Sequence, residues 1–239
     1  DASQYKDYVL TLLFMKYVSD KYAGIDDAII VVPPGASFDD MVKLKGDKEI
    51  GDKINKIINA FAHENDLDFL INAADFNDET KLGQGKDMQD RLSRLVAIFE
   101  GLDFTSNRAE GDDLLGDAYE YLMKNFATES GKSKGQFYTP AEVSRIMAKV
   151  IGIEEAKNLL EPTVYDPTCG SGSLLIKAAN ETEISRLAIF GQEMDNATWA
   201  LAKMNMILHE HPTADIWRGN TLAAPHFKNH DGTLKAFDF

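Results

Sequence analysis

Val164-Tyr165-Asp166-Pro167-Thr168-Cys169-Gly170-Ser171-Gly172-Ser173-Leu174-Leu175-Ile176 is the stretch that decides the fold. A short apolar segment, Val164 and Tyr165, ends on an acid. A turn with two glycines follows, and then an apolar run through Leu174, Leu175, Ile176, Ala178 and Ala179. The order is strand, glycine-rich turn, helix. Glycine opens backbone conformations closed to other residues and lets a ligand approach the main chain. The start of the next helix offers free N–H groups and a partial positive charge. Asp166, at the end of the strand, can accept hydrogen bonds from a ligand amine. The arrangement suits a small nucleoside carrying both an ammonium and a carboxylate. The same turn also occurs as plain structure, so the weight lies on what surrounds it.

Downstream, the pattern predicts a strand at 162–166, a helix at 172–181, a strand at 187–192, a helix at 195–210 and a strand near 214–217. This β-α-β-α-β run is half of a doubly wound parallel sheet, which takes its ligand across the carboxyl ends of the strands. Glu193 falls at the end of the second strand, where a carboxylate can accept both hydroxyls of a ribose. Asp195 reads as the cap of the following helix, with Trp199 one turn in. Upstream, Pro140 stands in the first turn of a helix running to about Ile151.

The first half reads as helical. Tyr5, Tyr8, Val9, Leu12, Leu13, Lys16 and Tyr17 recur at helical spacing over 2–22, with Leu10 and Phe14 widening the stripe. Val31-Val32-Pro33-Pro34-Gly35 is a connector, and Phe38–Met41 reopens a helix. Further apolar stripes run over 48–63, 87–100 and 112–126, and no alternating strand pattern precedes residue 160. The polar, glycine-bearing segment 129–136 marks a boundary between an α-helical domain at 1–128 and an α/β domain at 129–239.

The chain has 239 residues and a net charge of −14. Residues 1–128 hold 14 basic against 25 acidic side chains, and 129–239 hold 11 against 14. A protein that grips DNA by itself usually shows a basic patch. If DNA is the target, another subunit or another segment must neutralise much of the phosphate charge. The acidic surface equally suits mere solubility. No apolar run is long enough to cross a bilayer, and no signal-peptide pattern opens the sequence. The single cysteine, Cys169, excludes an internal disulfide framework and suits a reducing cytoplasm. His209 and His211 lack a second ligand pair and read as a solvated helix end rather than a zinc site.

Four ordered segments resemble the S-adenosylmethionine-binding motifs of amino-group DNA methyltransferases. They are Gly135-Gln136-Phe137-Tyr138-Thr139-Pro140, Asp166–Gly172, Phe190-Gly191-Gln192-Glu193-Met194-Asp195 and Arg218-Gly219-Asn220-Thr221. The likeness is closest to the modification (methylase) subunit of type I restriction–modification systems, whose N-terminal part resembles 10–20, 31–34 and 99–127. It implies a Rossmann-like methyltransferase domain that binds S-adenosylmethionine and modifies adenine N6 in DNA. It also implies work in a cytoplasmic complex with a specificity subunit and a restriction subunit.

By that resemblance Asp166 meets the methionine end of the cofactor, which Thr168, Gly170, Ser171 and Gly172 let approach the main chain. Glu193 takes the ribose. Met194 is either a packing surface for adenine or a core residue. The Asn220 amide can accept from the adenine amino group and donate to a ring nitrogen, although many relatives carry Asp there. Gln136, Phe137, Tyr138, Thr139 and Pro140 resemble the part that closes over the methionine carboxylate. Thr139 also reads as an ordinary helix cap ahead of Pro140.

Cys169 lies in the cofactor turn with no Lys, Arg or His near it in sequence to lower its pKa, so it is no nucleophile. The family's Asn-Pro-Pro-aromatic tetrad, which holds the flipped base and draws N6 toward the methyl group, has no counterpart in these residues. No catalytic residue is therefore carried over. The expectation is the cofactor-binding part of a larger enzyme, with half a sheet and an exposed edge. Two alternatives stand beside it: a non-catalytic interaction module with a vestigial pocket, and a methyltransferase acting on protein glutamine or a small molecule.

Overall fold

The apolar residues of the first half recur with periods that build helices, and among the described residues there helices are the only regular elements. The structure, a computed structural model, describes residues 5–68, 74–102, 121–122, 139–182 and 184–239. It divides into two compact units, Asp1–Ala118 and Tyr119–Phe239. The expected boundary near 128 falls outside the described residues, as does most of the helix expected over 112–126.

In the first unit α1 spans Lys6–Tyr22. Its apolar residues surround the helix instead of forming one stripe. Tyr8, Leu10, Leu12, Leu13, Phe14, Met15 and Val18 are all buried, which places α1 at the centre of its unit. Lys16 is buried with them because its ammonium pairs with Asp20 one turn on, at 2.6 Å. The short α2 (Phe38–Val42) starts at a capping box in which Ser37 and Asp40 each bond the other's backbone N–H. In α3 (Ile50–Glu64) the residues Ile50, Ile54, Ile57, Ile58 and Phe61 turn inward. Each fully buried side chain of this kind contributes about 1.5–3 kcal/mol. Gly51 sits inside α3 because a Cβ there would lie 2.2 Å from the Phe76 carbonyl oxygen. A short α4 (Glu79–Leu82), capped by Asp78, was not expected: one turn is too brief to leave a periodic signal. Met88, Leu92, Val96 and Phe99 line the buried face of α5 (Lys86–Glu100).

In the second unit, helix α6 spans Ala141–Val150. Pro140 occupies the N-cap position itself, and no side chain caps the helix, so Thr139 does not perform the capping expected of it. Ser144 and Ala148 are buried and Arg145 reaches Glu181 at 3.1 Å, which marks the inner face of α6, packed on α7 (Ser173–Thr182). A 3-10 turn at Ile153–Asn158 leads to β1 (Thr163–Asp166). Then come α7, β2 (Ala188–Glu193), α8 (Asn196–Leu208) and β3 (Asp215–Arg218). The three strands are parallel in the order β1-β2-β3, with Asp166 beside Gly191 and Glu193 beside Arg218.

Alternation along the strands sends Val164, Ile189 and Ile216 to one face, where they meet Leu175, Ile176, Ala202 and Met206 of α7 and α8. Tyr165 and Phe190 lie on the other face, against Phe227 and Phe237. The edge expected to stand open beside β1 is paired at Phe239: its N–H donates to the Thr163 carbonyl at 3.1 Å, and its carbonyl accepts from Tyr165 N–H at 3.0 Å. Among the described residues no helix is long and apolar enough to cross a membrane.

Candidate nucleoside-cofactor site

Asp166 and Glu193 end adjacent parallel strands, so the sheet itself brings the two acids together at its carboxyl edge. Between them runs the glycine turn, with Gly170 at φ 56° and Gly172 at φ 80°, both in the region that favours glycine. Glu193 organises this edge. One of its oxygens accepts from Gly170 N–H at 3.0 Å, the other from Asp195 N–H at 2.7 Å. Its carbonyl accepts from Gly219 N–H at 2.8 Å. A single residue thus ties the turn after β1, the start of α8 and the turn after β3.

Asp166 is half-buried, and its carboxyl accepts from Thr168 N–H at 2.9 Å. Burial pushes its carboxyl above the ordinary value, the Thr168 bond opposes the rise, and the charge of Glu193 adds to it. Such a carboxylate is short of solvation and is stabilised by an incoming cation. Cys169 is buried, and burial pushes its thiol up, with the charges of Asp166 and Glu193 acting in the same direction. It offers no thiolate at neutral pH.

The other expected residues divide. Asp195 caps α8 as read, accepting from Thr198 N–H at 2.9 Å. Met194 is 66% exposed beside Glu193, so the core role weighed for it is not the one it plays. The Ser171 hydroxyl is buried against Ser173 at 3.0 Å and faces the interior. Gly172 serves close packing: a Cβ there would lie 2.7 Å from the Met206 methyl on α8. The Asn220 side-chain oxygen, expected to accept from an adenine amino group, instead accepts from Leu222 N–H at 3.0 Å and Ala223 N–H at 3.2 Å. Its NH2 group retains donor capacity. Gln136, Phe137 and Tyr138 lie outside the described residues.

Residues 110–239 match the family model described as N-6 DNA Methylase, and residues 1–99 match the HsdM N-terminal domain. The chain belongs to the methylase-subunit family of type I restriction–modification systems. Among curated relatives it is 28% identical to the type I restriction enzyme MpnII methylase subunit of Mycoplasma pneumoniae, over 96% of this chain and 51% of that one. It is 29% identical to the MjaVIII methylase subunit of Methanocaldococcus jannaschii, over 96% and 42%. Among solved structures it superposes on the type I restriction–modification methyltransferase subunit from Streptococcus thermophilus with a TM-score of 0.77 and 27% identity, over 96% of this chain and 57% of that one. The chain spans about half the length of the curated relatives it matches.

Within this methylase-family fold, three supporting residues escaped sequence reasoning. Gly191 has no room for a side chain: a Cβ would lie 2.8 Å from Ile216 Cδ1 and 3.0 Å from Cys169 Sγ. Asn205, buried on α8, donates to the Ser171 carbonyl at 3.0 Å and fixes the turn from beneath. Gln192 is wholly buried one residue before Glu193. Gly191 and Gln192 lay inside a quoted motif, but only through-space neighbours reveal their use. His209, read as solvated, is buried at the end of α8. No group of three metal-binding side chains occurs among the described residues.

Proposed function

We propose that this chain carries the S-adenosylmethionine-binding part of a type I methylase subunit, and that the whole protein methylates adenine N6 in DNA. The observation that carries the reading is the pair of acids, Asp166 and Glu193, facing one glycine turn at the carboxyl ends of adjacent strands. The residues fit the cofactor. Asp166, half-buried with its carboxyl pushed up, is suited to accept from an ammonium. Glu193 spends one lone pair of each oxygen on backbone N–H groups and retains the others for ribose hydroxyls. The Asn220 NH2 group donates to a ring nitrogen, and exposed Met194 offers an apolar surface to the base. Thr168 and Gly170 bring backbone to the methionine end, with Gln136, Phe137, Tyr138, Thr139 and Pro140 closing over its carboxylate. S-adenosylmethionine supplies a methyl group on a sulfonium, ready to pass to a nucleophile.

In this reading the protein works in the cytoplasm with a specificity subunit that grips DNA and a restriction subunit that cleaves it. The interaction-module alternative draws on one observation: Val143, Ile146, Met147 and Val150 are exposed along α6.

Calorimetric titration with S-adenosylmethionine separates the two, with circular dichroism to confirm folding. Saturable binding is expected. Asp166→Ala should weaken it about 10- to 100-fold, the loss that follows removal of a charged hydrogen bond. Gly170→Leu should weaken it at least as much, because φ 56° strains any other residue. No binding by the folded chain, or unchanged affinity in both variants, would sink the cofactor reading.

A further inference from the structure

Gln192 has no part in the ligand contacts above, yet it is buried more deeply than Glu193 beside it. Its side chain is 0% exposed. Its Nε2 donates to the Ala224 carbonyl at 3.0 Å, and its Oε1 accepts from His226 N–H at 3.1 Å. Its own carbonyl accepts from Cys169 N–H at 3.1 Å, inside the glycine turn. One residue therefore holds the cofactor turn through its main chain and the loop after β3 through its side chain.

That loop carries Asn220. It is stiff around the asparagine: Asn220 Oδ1 takes Leu222 and Ala223 N–H, and the Asn220 carbonyl accepts from Ala224 N–H at 2.8 Å. Gln192 closes the far side of the same loop at Ala224 and His226. The His226 ring in turn stacks on Trp217 with centroids 3.6 Å apart and planes 8° from parallel. Gly219 leaves space for the amide, since a Cβ there would lie 3.2 Å from Gln192 Nε2.

We infer that Gln192 is a positioning residue: through the Ala224 and His226 backbone it aims Asn220, and so sets how well the site tells adenine from other purines. The inference rests on the cofactor reading and names what that site selects. A buried amide with both ends bonded to one loop fixes that loop's register, because every slip leaves a donor or acceptor unpaired.

The test titrates S-adenosylmethionine and its inosine counterpart, with the purine 6-amino group replaced by oxygen, into the 239-residue chain, Gln192→Met and Gln192→Glu. Hydrogen exchange is followed over residues 188–227. The unsubstituted chain is expected to prefer the adenine compound, whose N1 can accept from the Asn220 NH2 group, whereas N1 of the inosine compound carries a proton and repels that donor. Gln192→Met should lose about tenfold on that compound, the scale of losing a pair of buried hydrogen bonds, and little on the inosine compound. Exchange should quicken at Leu222–His226 while the β2–β3 ladder stays protected. Gln192→Glu keeps the acceptor for His226 and should fall between. Equal losses on both compounds, an undiminished preference, or a ladder that opens in both variants would reduce Gln192 to a core residue and overturn the inference alone. Binding of neither compound by the unsubstituted chain would overturn the cofactor reading and this inference together.

Discussion

Asp166 shows how a residue suited to the proposed site can weigh against the fold. Its carboxyl is raised above the ordinary 3.8 chiefly by burial. A raised folded-state value means that the protonated form favours folding. The stability it contributes is fully present below the unfolded value and is lost as the pH rises through the folded one. At pH 7 the ionised group is therefore a cost to the free chain. Asp166→Asn keeps the acceptor for Thr168 N–H without the charge, so it should raise the melting temperature at pH 7. The gain should shrink as the pH falls and vanish below about 3.8, the ordinary carboxylate value. The same variant should lose S-adenosylmethionine affinity at every pH, because the ammonium loses its partner. In the unsubstituted chain affinity should rise with pH across the raised Asp166 value, as the carboxylate forms. Scanning calorimetry and titration at stepped pH check both, and a variant less stable at pH 7 would mean that Asp166 chiefly braces the turn.

Elements were easier to read than the contacts between them. The strands and helices of the second unit fall within about two residues of the sequence reading, as element boundaries usually do. They are apolar runs cut by strong punctuation: Pro162, Gly172 and Pro212. The α4 turn and the 3-10 helix at 153–158 carry too few residues for a period to show. The all-round burial of α1 was partly visible in Leu10 and Phe14, which broadened its stripe. What no pattern could give was the use of Gln192, whose partners lie 32 and 34 residues away, or the turn-capping use of the Asn220 oxygen. Gly191 belongs to the same class, because its reason is the packing of β2 on Cys169 and Ile216. Gly191→Ala should overpack that contact and destabilise by about 1–3 kcal/mol. Adding Cys169→Ala removes the sulfur 3.0 Å from the new methyl and should recover part of the loss, a non-additivity expected of touching residues. Denaturant melts of the two single variants and the double variant measure it; strict additivity would mean that strand β2 shifts as a whole.

At the scale of the whole molecule the decisive quantity is charge. A family whose substrate is DNA is represented here by a chain of net charge −14, with most of the excess acid in residues 1–128. Binding to a duplex draws its strength from counterions released as Lys and Arg replace them at phosphates. An acidic surface reverses that gain, and Asp166 and Glu193, the acids of the proposed site, add to the negative potential at the carboxyl edge of the sheet. The division of labour in the proposed complex follows: this chain holds the cofactor and a more basic subunit holds the phosphates. Alone, at about 0.15 M salt, the chain should bind duplex DNA more weakly than the roughly 10⁻⁴–10⁻⁶ M typical of non-specific binders. Lowering the salt should deepen that weakness instead of relieving it, since less screening leaves more repulsion. Fluorescence anisotropy of a labelled duplex over a salt series reads this directly. Micromolar binding that tightens as salt falls would locate a basic surface in the chain itself and remove the need for a partner to supply the grip.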